Sequence, residues 1–208
     1  MFLSDCPSVS EHMLRRSSDT LSLLVSLDLI AVISHFFAKI QGALEEASQT
    51  AQTLENCLHF LNATARLLTL RDTNCQLPLA VKETNLVNIV SMLYGMLHKE
   101  ASTPIKYLAD GAAAQTRKQQ ASSTLRLSTL SLRLLNQMAA LDLAMMQSLL
   151  GAESNSLQLR HIASYLIWYL TTNRHDELLH EIVLLIGYFS LLNCENQVSW
   201  SVACWLPG

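Results

Sequence analysis

Residues that break helices are scarce in this chain. Six glycines, all apart, and four prolines in 208 residues leave little material for the tight turns a sheet protein needs. Scattered glycines also cannot build a phosphate-cradling loop, and there is no Walker A sequence, dinucleotide fingerprint or G-x-S-x-G elbow. Charged residues reach only 15% and aromatic residues 6%. The cysteines (Cys6, Cys57, Cys75, Cys194, Cys204) are odd in number, widely spaced and without a C-x-x-C pair. That pattern opposes a disulfide framework or a zinc knuckle and favours reduced thiols in a cytosolic or nuclear setting. The start, MFLSDCPSVSEHMLRR, lacks the basic region and apolar run of a secretory signal.

What remains is apolar and helix-forming. Half the residues are hydrophobic, and a domain so lightly charged is expected to cover part of its surface with another domain or a partner. The formal net charge of −3 carries no global nucleic-acid signal. Between Ala101 and Gln137, however, five basic residues (Lys106, Arg117, Lys118, Arg126, Arg133) face a single acid, Asp110.

Periodicity divides the chain into a flexible N-terminal segment (1–18), a helical domain (19–192) and an irregular tail (193–208). The first helix is expected from Asp19 to Glu46, its apolar stretch too rich in Asp28, His35 and Lys39 to favour a membrane span. Further helices are expected over Gln52–Leu70, Asn85–His98, from near Gln115, from an Asp142 cap to Leu150, over Ser156–Thr171 and over His175–Leu192. Lys99–Ala114 reads as irregular. No strand alternation competes. The fold class is all-α, an armadillo- or HEAT-like α-solenoid of helical hairpins, with a closed helical bundle as the alternative. Gly95 and Gly187 interrupt apolar helices, and close approach of a neighbouring helix is expected at both.

Candidate chemistry is thin. Glu177-x-x-His180 has the spacing of di-iron bundles but no second copy, and Glu55 with His59 reads as a solvated pair. Arg126 and Arg133 lie two helical turns apart, so with Arg117 and Lys118 they form a basic stripe. The stripe serves either contact with RNA phosphates or an acidic partner, or solvation of a greasy helix. In RHIASYLIWYL, Ile162, Leu166 and Tyr169 form a core stripe, while Tyr165 and Trp168 flank it as candidates for a partner groove.

The second half resembles one family closely. LNQMAALDLAMMQSLLGAESNSLQLRHIASYLIWYL, followed by ELLHEIVLLIGYFSLLNCENQV, is similar to the C-terminal region of the S phase cyclin A-associated protein family, whose members associate with the endoplasmic reticulum. The likeness is clear over Asn136–Val198 and weaker back to about Asn85. It implies a non-enzymatic helical adaptor without cofactor, metal or small-molecule substrate. It further implies a role in tubulin autoregulation: docking at the ribosome, meeting the tetratricopeptide-repeat reader of nascent tubulin, and recruiting a deadenylase complex to the message. The location implied is cytoplasmic, at the endoplasmic reticulum surface, with a nuclear pool as an alternative. A protein scaffold linked to cyclin A and the cell cycle, without RNA contact, is the alternative role. Cyclin binding itself belongs to family segments outside this chain. The ending SWSVACWLPG departs from the family pattern and reads as a truncation, with Trp200, Trp205 and Leu206 expected to find no helix to join.

Overall fold

The computed structural model describes residues 16–17, 19–20, 23, 28–40, 48–69, 86–102 and 111–203. Among these, eight helices form: α1 (Leu29–Ile40), α2 (Ser48–Thr69), α3 (Leu86–Ser102), α4 (Gly111–Leu141), α5 (Leu143–Gly151), α6 (Glu153–Thr172), α7 (Asp176–Ser190) and α8 (Cys194–Ala203). No strand occurs among the described residues. The all-helical reading therefore holds.

Each helix buries the stripe its sequence spells. In α2 the buried residues Leu54, Leu58, Leu61, Ala65 and Leu68 recur at three and four, one face of a 3.6-residue period. In α4 the second half buries Leu127, Leu130, Leu132, Leu134, Leu135, Met138 and Ala139. Those residues cover a little over half of the helix circumference, and this half of α4 leaves open the face that carries Arg126, Thr129 and Arg133. It is the centre of the molecule, packing on α2, α3, α5 and α7. A second set runs beside it: α3 packs on α1 and α6, and α8 packs on α6 and α7. One hydrophobic core results, from Ile33 to Phe189.

The direction of neighbouring helices follows from which residues meet. Glu55 meets Arg126 and Asn62 meets the Leu130 carbonyl, so α2 and α4 ascend together. Arg133 meets Glu177 and Asn136 meets Glu181, so α4 and α7 do the same. Ser91 with Gln158 and Tyr94 with His161 give α3 and α6 the same parallel sense. Parallel neighbours are thus separated in sequence by one helix (α2 and α4) or two (α4 and α7, α3 and α6), never adjacent.

Several local expectations hold, and four are corrected. Asp142 caps α5, its Oδ1 accepting the Met145 N–H at 3.0 Å, as a capping aspartate should. The expected single helix Asp19–Glu46 is broken instead at Asp28, whose φ of 55° is left-handed; α1 starts after it, with the Val32 N–H donating to the Asp28 carbonyl at 3.0 Å. An aspartate tolerates that conformation better than a branched residue does. The irregular stretch expected from Lys99 is helical to Ser102 and again from Gly111.

The tail expected to be irregular from Asn193 forms α8. Asn193 Oδ1 accepts the Asn196 N–H at 3.0 Å, starting the helix, and Trp200 packs its ring 6.0 Å from that of Phe189. Trp200 therefore has a helix to join; Trp205 and Leu206 lie outside the described residues. Finally, Gly187 and Gly95 are exposed, and a Cβ on either would meet nothing within 4 Å. The close approach lies at Gly151, where a Cβ would stand 2.7 Å from Asn196 Oδ1. Period alone cannot tell a glycine facing a helix from one facing solvent.

Candidate functional site: a charged groove along the central helix

The α2–α4–α7 set carries an open groove of about 930 Å³, lined along α4 by Ser122, Arg126, Thr129 and Arg133. Glu55 and His59 of α2 form one wall; Tyr169, Asn173, His175 and Glu177 at the α6–α7 turn form the other. The two arginines do share a face, as their spacing requires, but their side chains go to opposite neighbours. Arg126 pairs with Glu55 of α2. Arg133 reaches α7, its Nε donating to Glu181 Oε1 at 2.8 Å and its Nη2 pairing with Glu177. His59 Nε2 stands 3.4 Å from Glu55 Oε1 at i,i+4. Glu55, at 12% exposure, is not the solvated residue its spacing suggests, because Arg126 lies over it.

The two pairs differ in environment. Arg133 is about one-third exposed and Glu181 is 8% exposed, so this carboxylate depends on its partners. Asn136 supplies more of them: its Nδ2 lies 2.9 Å from both the Glu181 carbonyl and Glu181 Oε2. Hydrogen bonds to Glu181, then Glu177, push the Arg133 guanidinium above its already high ordinary pKa, so it stays charged throughout the working range. Arg126, at 61% exposure, remains largely in water.

An amide clamp recurs across both seams. Asn62 of α2 donates from Nδ2 to its own Leu58 carbonyl at 2.8 Å and across to the Leu130 carbonyl of α4 at 3.0 Å. Asn136 of α4 makes the equivalent crossing to the Glu181 carbonyl of α7. Both asparagines are buried, and the Oδ1 of each accepts no hydrogen bond. Asn62 opens an Asn62-Ala63-Thr64 sequon, but it is buried and its amide is committed to a neighbouring backbone.

The remaining sequence candidates separate. The side chains of Arg117 and Lys118, on the first half of α4, lie outside the described residues, as does Lys106. Tyr165 is half-buried, with ring centroids 6.1 Å from both Trp168 and Tyr169. Trp168 is 67% exposed. Neither lines the charged groove; Tyr165 faces α3 instead. Sequence reading also missed an apolar face on α7, where Leu179, Val183 and Leu184 are exposed at 40%, 55% and 36%. Its signal was present, since α7 carries more apolar residues than one buried stripe uses.

Burial pushes the Cys57 thiol up from its ordinary pKa, which lowers its thiolate fraction and reactivity. Among the described residues no group of three or more His, Cys, Asp or Glu gathers as a metal site would need, and no helix is long and apolar enough to cross a membrane.

No known family model matches the chain. A human protein, S phase cyclin A-associated protein in the endoplasmic reticulum, is 30% identical over 204 residues. The match takes in 92% of this chain and 14% of the human protein. It therefore extends beyond the motifs of the second half into the first half of the chain. Over nearly its whole length, this chain is similar to a segment of human S phase cyclin A-associated protein in the endoplasmic reticulum.

Proposed function

We propose that this chain is a non-catalytic adaptor, built as an armadillo- or HEAT-like helical array, that holds protein partners along the α2–α4–α7 set. The observation that carries this reading is the open groove of about 930 Å³. It lies open to solvent along α4 instead of enclosing its contents, and that openness with its paired charges suits a chain-like ligand better than a buried small substrate. The array reading draws on parallel neighbours separated in sequence by one or two intervening helices, and on the amide clamp repeated at Asn62 and Asn136. An up-and-down bundle instead places antiparallel helices side by side.

The family resemblance supplies the setting: ribosome-linked decay of tubulin message, with this chain bridging the tetratricopeptide-repeat reader of nascent tubulin to a deadenylase complex. A cytoplasmic location at the endoplasmic reticulum surface is part of this reading; the human relative's name supports the association with the endoplasmic reticulum. Any RNA contact falls on Arg117 and Lys118, because Arg126 and Arg133 are already held by carboxylates.

The test is ribosome pelleting over a salt series with Arg117→Glu/Lys118→Glu, with tubulin message decay followed alongside. Steep salt dependence, lost in the double variant together with decay, is the expected result. Salt-independent pelleting would remove the RNA contact. A second reading, a cyclin A-linked scaffold without RNA contact, is favoured by the same carboxylate pairing. It expects the double variant to be silent while Leu179→Asp/Val183→Asp on α7 abolishes partner capture.

A further inference from the structure

The two ends of the α2–α4–α7 set differ. On α2 the exposed residues include Gln52, Thr53, Asn56 and Arg66, and none of the exposed large apolar side chains among the described residues lies on this helix. On α7, Leu179, Val183, Leu184 and Leu191 are exposed, the first three lining a shallow recess of about 420 Å³ with Asp176 and His180. A helical array needs polar outer faces at its ends to stay in water, so the set is closed at α2 and open at α7. The open face is also patterned. Leu179, Val183, Gly187 and Leu191 stand four apart in one row, and Asp176, His180 and Leu184 form the row beside it. Two such rows leave between them the groove that receives a ridge of another helix. Gly187 sits near the middle of this face, and a Cβ placed there would meet nothing within 4 Å. A glycine destabilises a helix interior, and nothing described in this chain packs against it in return. A second helix crossing at Gly187 would, because the missing side chain lets two backbones approach closely.

We propose that the open face of α7 docks an amphipathic helix of a partner protein, its apolar stripe flanked at both ends by lysine or arginine. This surface is separate from the charged groove, and the charges around it select that chemistry. Asp176 borders the recess at the start of α7, Glu195 is exposed in the first turn of α8 just beyond the other end, and neither helix carries a lysine or arginine. The 15 residues of α7 span about 22 Å, so the partner's basic groups stand about four turns apart. A large apolar residue between them fills the space over Gly187, with Val183 and Leu184 beside it. The same charges disfavour a second copy of this chain. Laid antiparallel, α7 brings Asp176 of one copy towards Glu195 of the other; laid parallel, it sets Asp176 against Asp176, and like charges brought together across an interface are costly. An anionic lipid surface is disfavoured for the same reason.

The test titrates the whole chain at pH 8, where imidazole is ordinarily neutral, into a fluorescein-labelled alanine-based peptide of about 20 residues, long enough to be helical. The peptide carries leucines in an i, i+4, i+7, i+11 stripe and two lysines at each end. A second peptide has glutamates for the lysines, and a third has glutamines for the leucines. Anisotropy reads affinity, and the Gly187 amide shift reads the site. Saturable binding of the lysine peptide that moves the Gly187 amide is expected, about fivefold tighter than that of the glutamate peptide, with no binding of the glutamine peptide. Gly187→Leu, which enters open space in the free protein, should abolish binding without lowering the melting temperature. Asp176→Lys should remove the preference for lysine. Equal affinity of the two charged peptides for the unaltered chain, or no saturable binding, would overturn the proposal. Undiminished binding by Gly187→Leu would mean that the peptide only coats apolar surface, and would overturn it as well. A concentration-dependent dimer in sedimentation, abolished by Gly187→Leu, would give the face to a second copy and overturn the assignment to a partner.

Discussion

The seam between α2 and α4 and the seam between α4 and α7 are held by the same parts used differently. Each has a buried asparagine that donates to a backbone carbonyl of the next helix, and each has an arginine on α4 reaching a glutamate. On the α2 side the arginine lies over the surface. On the α7 side the carboxylate is enclosed and the amide joins it. The two carboxylates are covered to a similar degree, 12% and 8% exposed, but Arg126 on the first seam is largely in water while Arg133 on the second is two-thirds covered and is joined by Asn136. A buried pair is weak evidence of net stabilisation but strongly specifies register, because breaking one half strands the other.

Arg133→Met should therefore have the largest effect. It leaves the enclosed Glu181 with only Asn136, and a loss of about 3 kcal/mol is expected in urea unfolding. A loss under about 1 kcal/mol would erase the distinction between the seams. Asn136→Ala comes next, at about 2 kcal/mol, because it removes both a backbone and a carboxylate partner. Asn62→Ala should cost less, since only carbonyls lose a donor, and equal losses would show that the Glu181 contact adds nothing. Gly151→Ala should cost about 1–2 kcal/mol by pushing Asn196 off the Phe189 carbonyl it donates to at 2.9 Å. Gly187→Ala, in open space, should instead gain about 0.5–1 kcal/mol. A shared sign for the two in thermal melts would contradict their placement. Arg126→Ala is smallest, below about 1 kcal/mol and weaker at high salt. A double-mutant cycle with Glu55→Gln reads that pair directly.

Helices were legible because the apolar stripes repeat with the helical period, as in Leu54 to Leu68, and because Asp142 carries its cap in its own chemistry. The break at Asp28 was not legible: a left-handed residue inside an apolar run has no periodic signature. The α8 helix was missed because its covered residues include polar Asn196 while Val198 is exposed, and its anchor is the ring contact of Trp200 with Phe189, made across the fold. For the site, the sequence put Arg126 and Arg133 on one face correctly. It could not say that Glu55, Glu177 and Glu181 would meet them, since those partners lie 71, 44 and 48 residues away. The pairing of Tyr94 with His161 is equally non-local.

By itself, then, the sequence determined an all-helical chain, the buried stripe of most helices, the α5 cap and a resemblance that the comparison extends to 92% of the chain. These properties rest on interactions within a turn or two, where spacing fixes geometry. Only the tertiary structure decided which charges are engaged, which glycine is crowded and where open recesses lie. Each depends on which helix packs beside which, and that choice is made by shape and burial over the whole core.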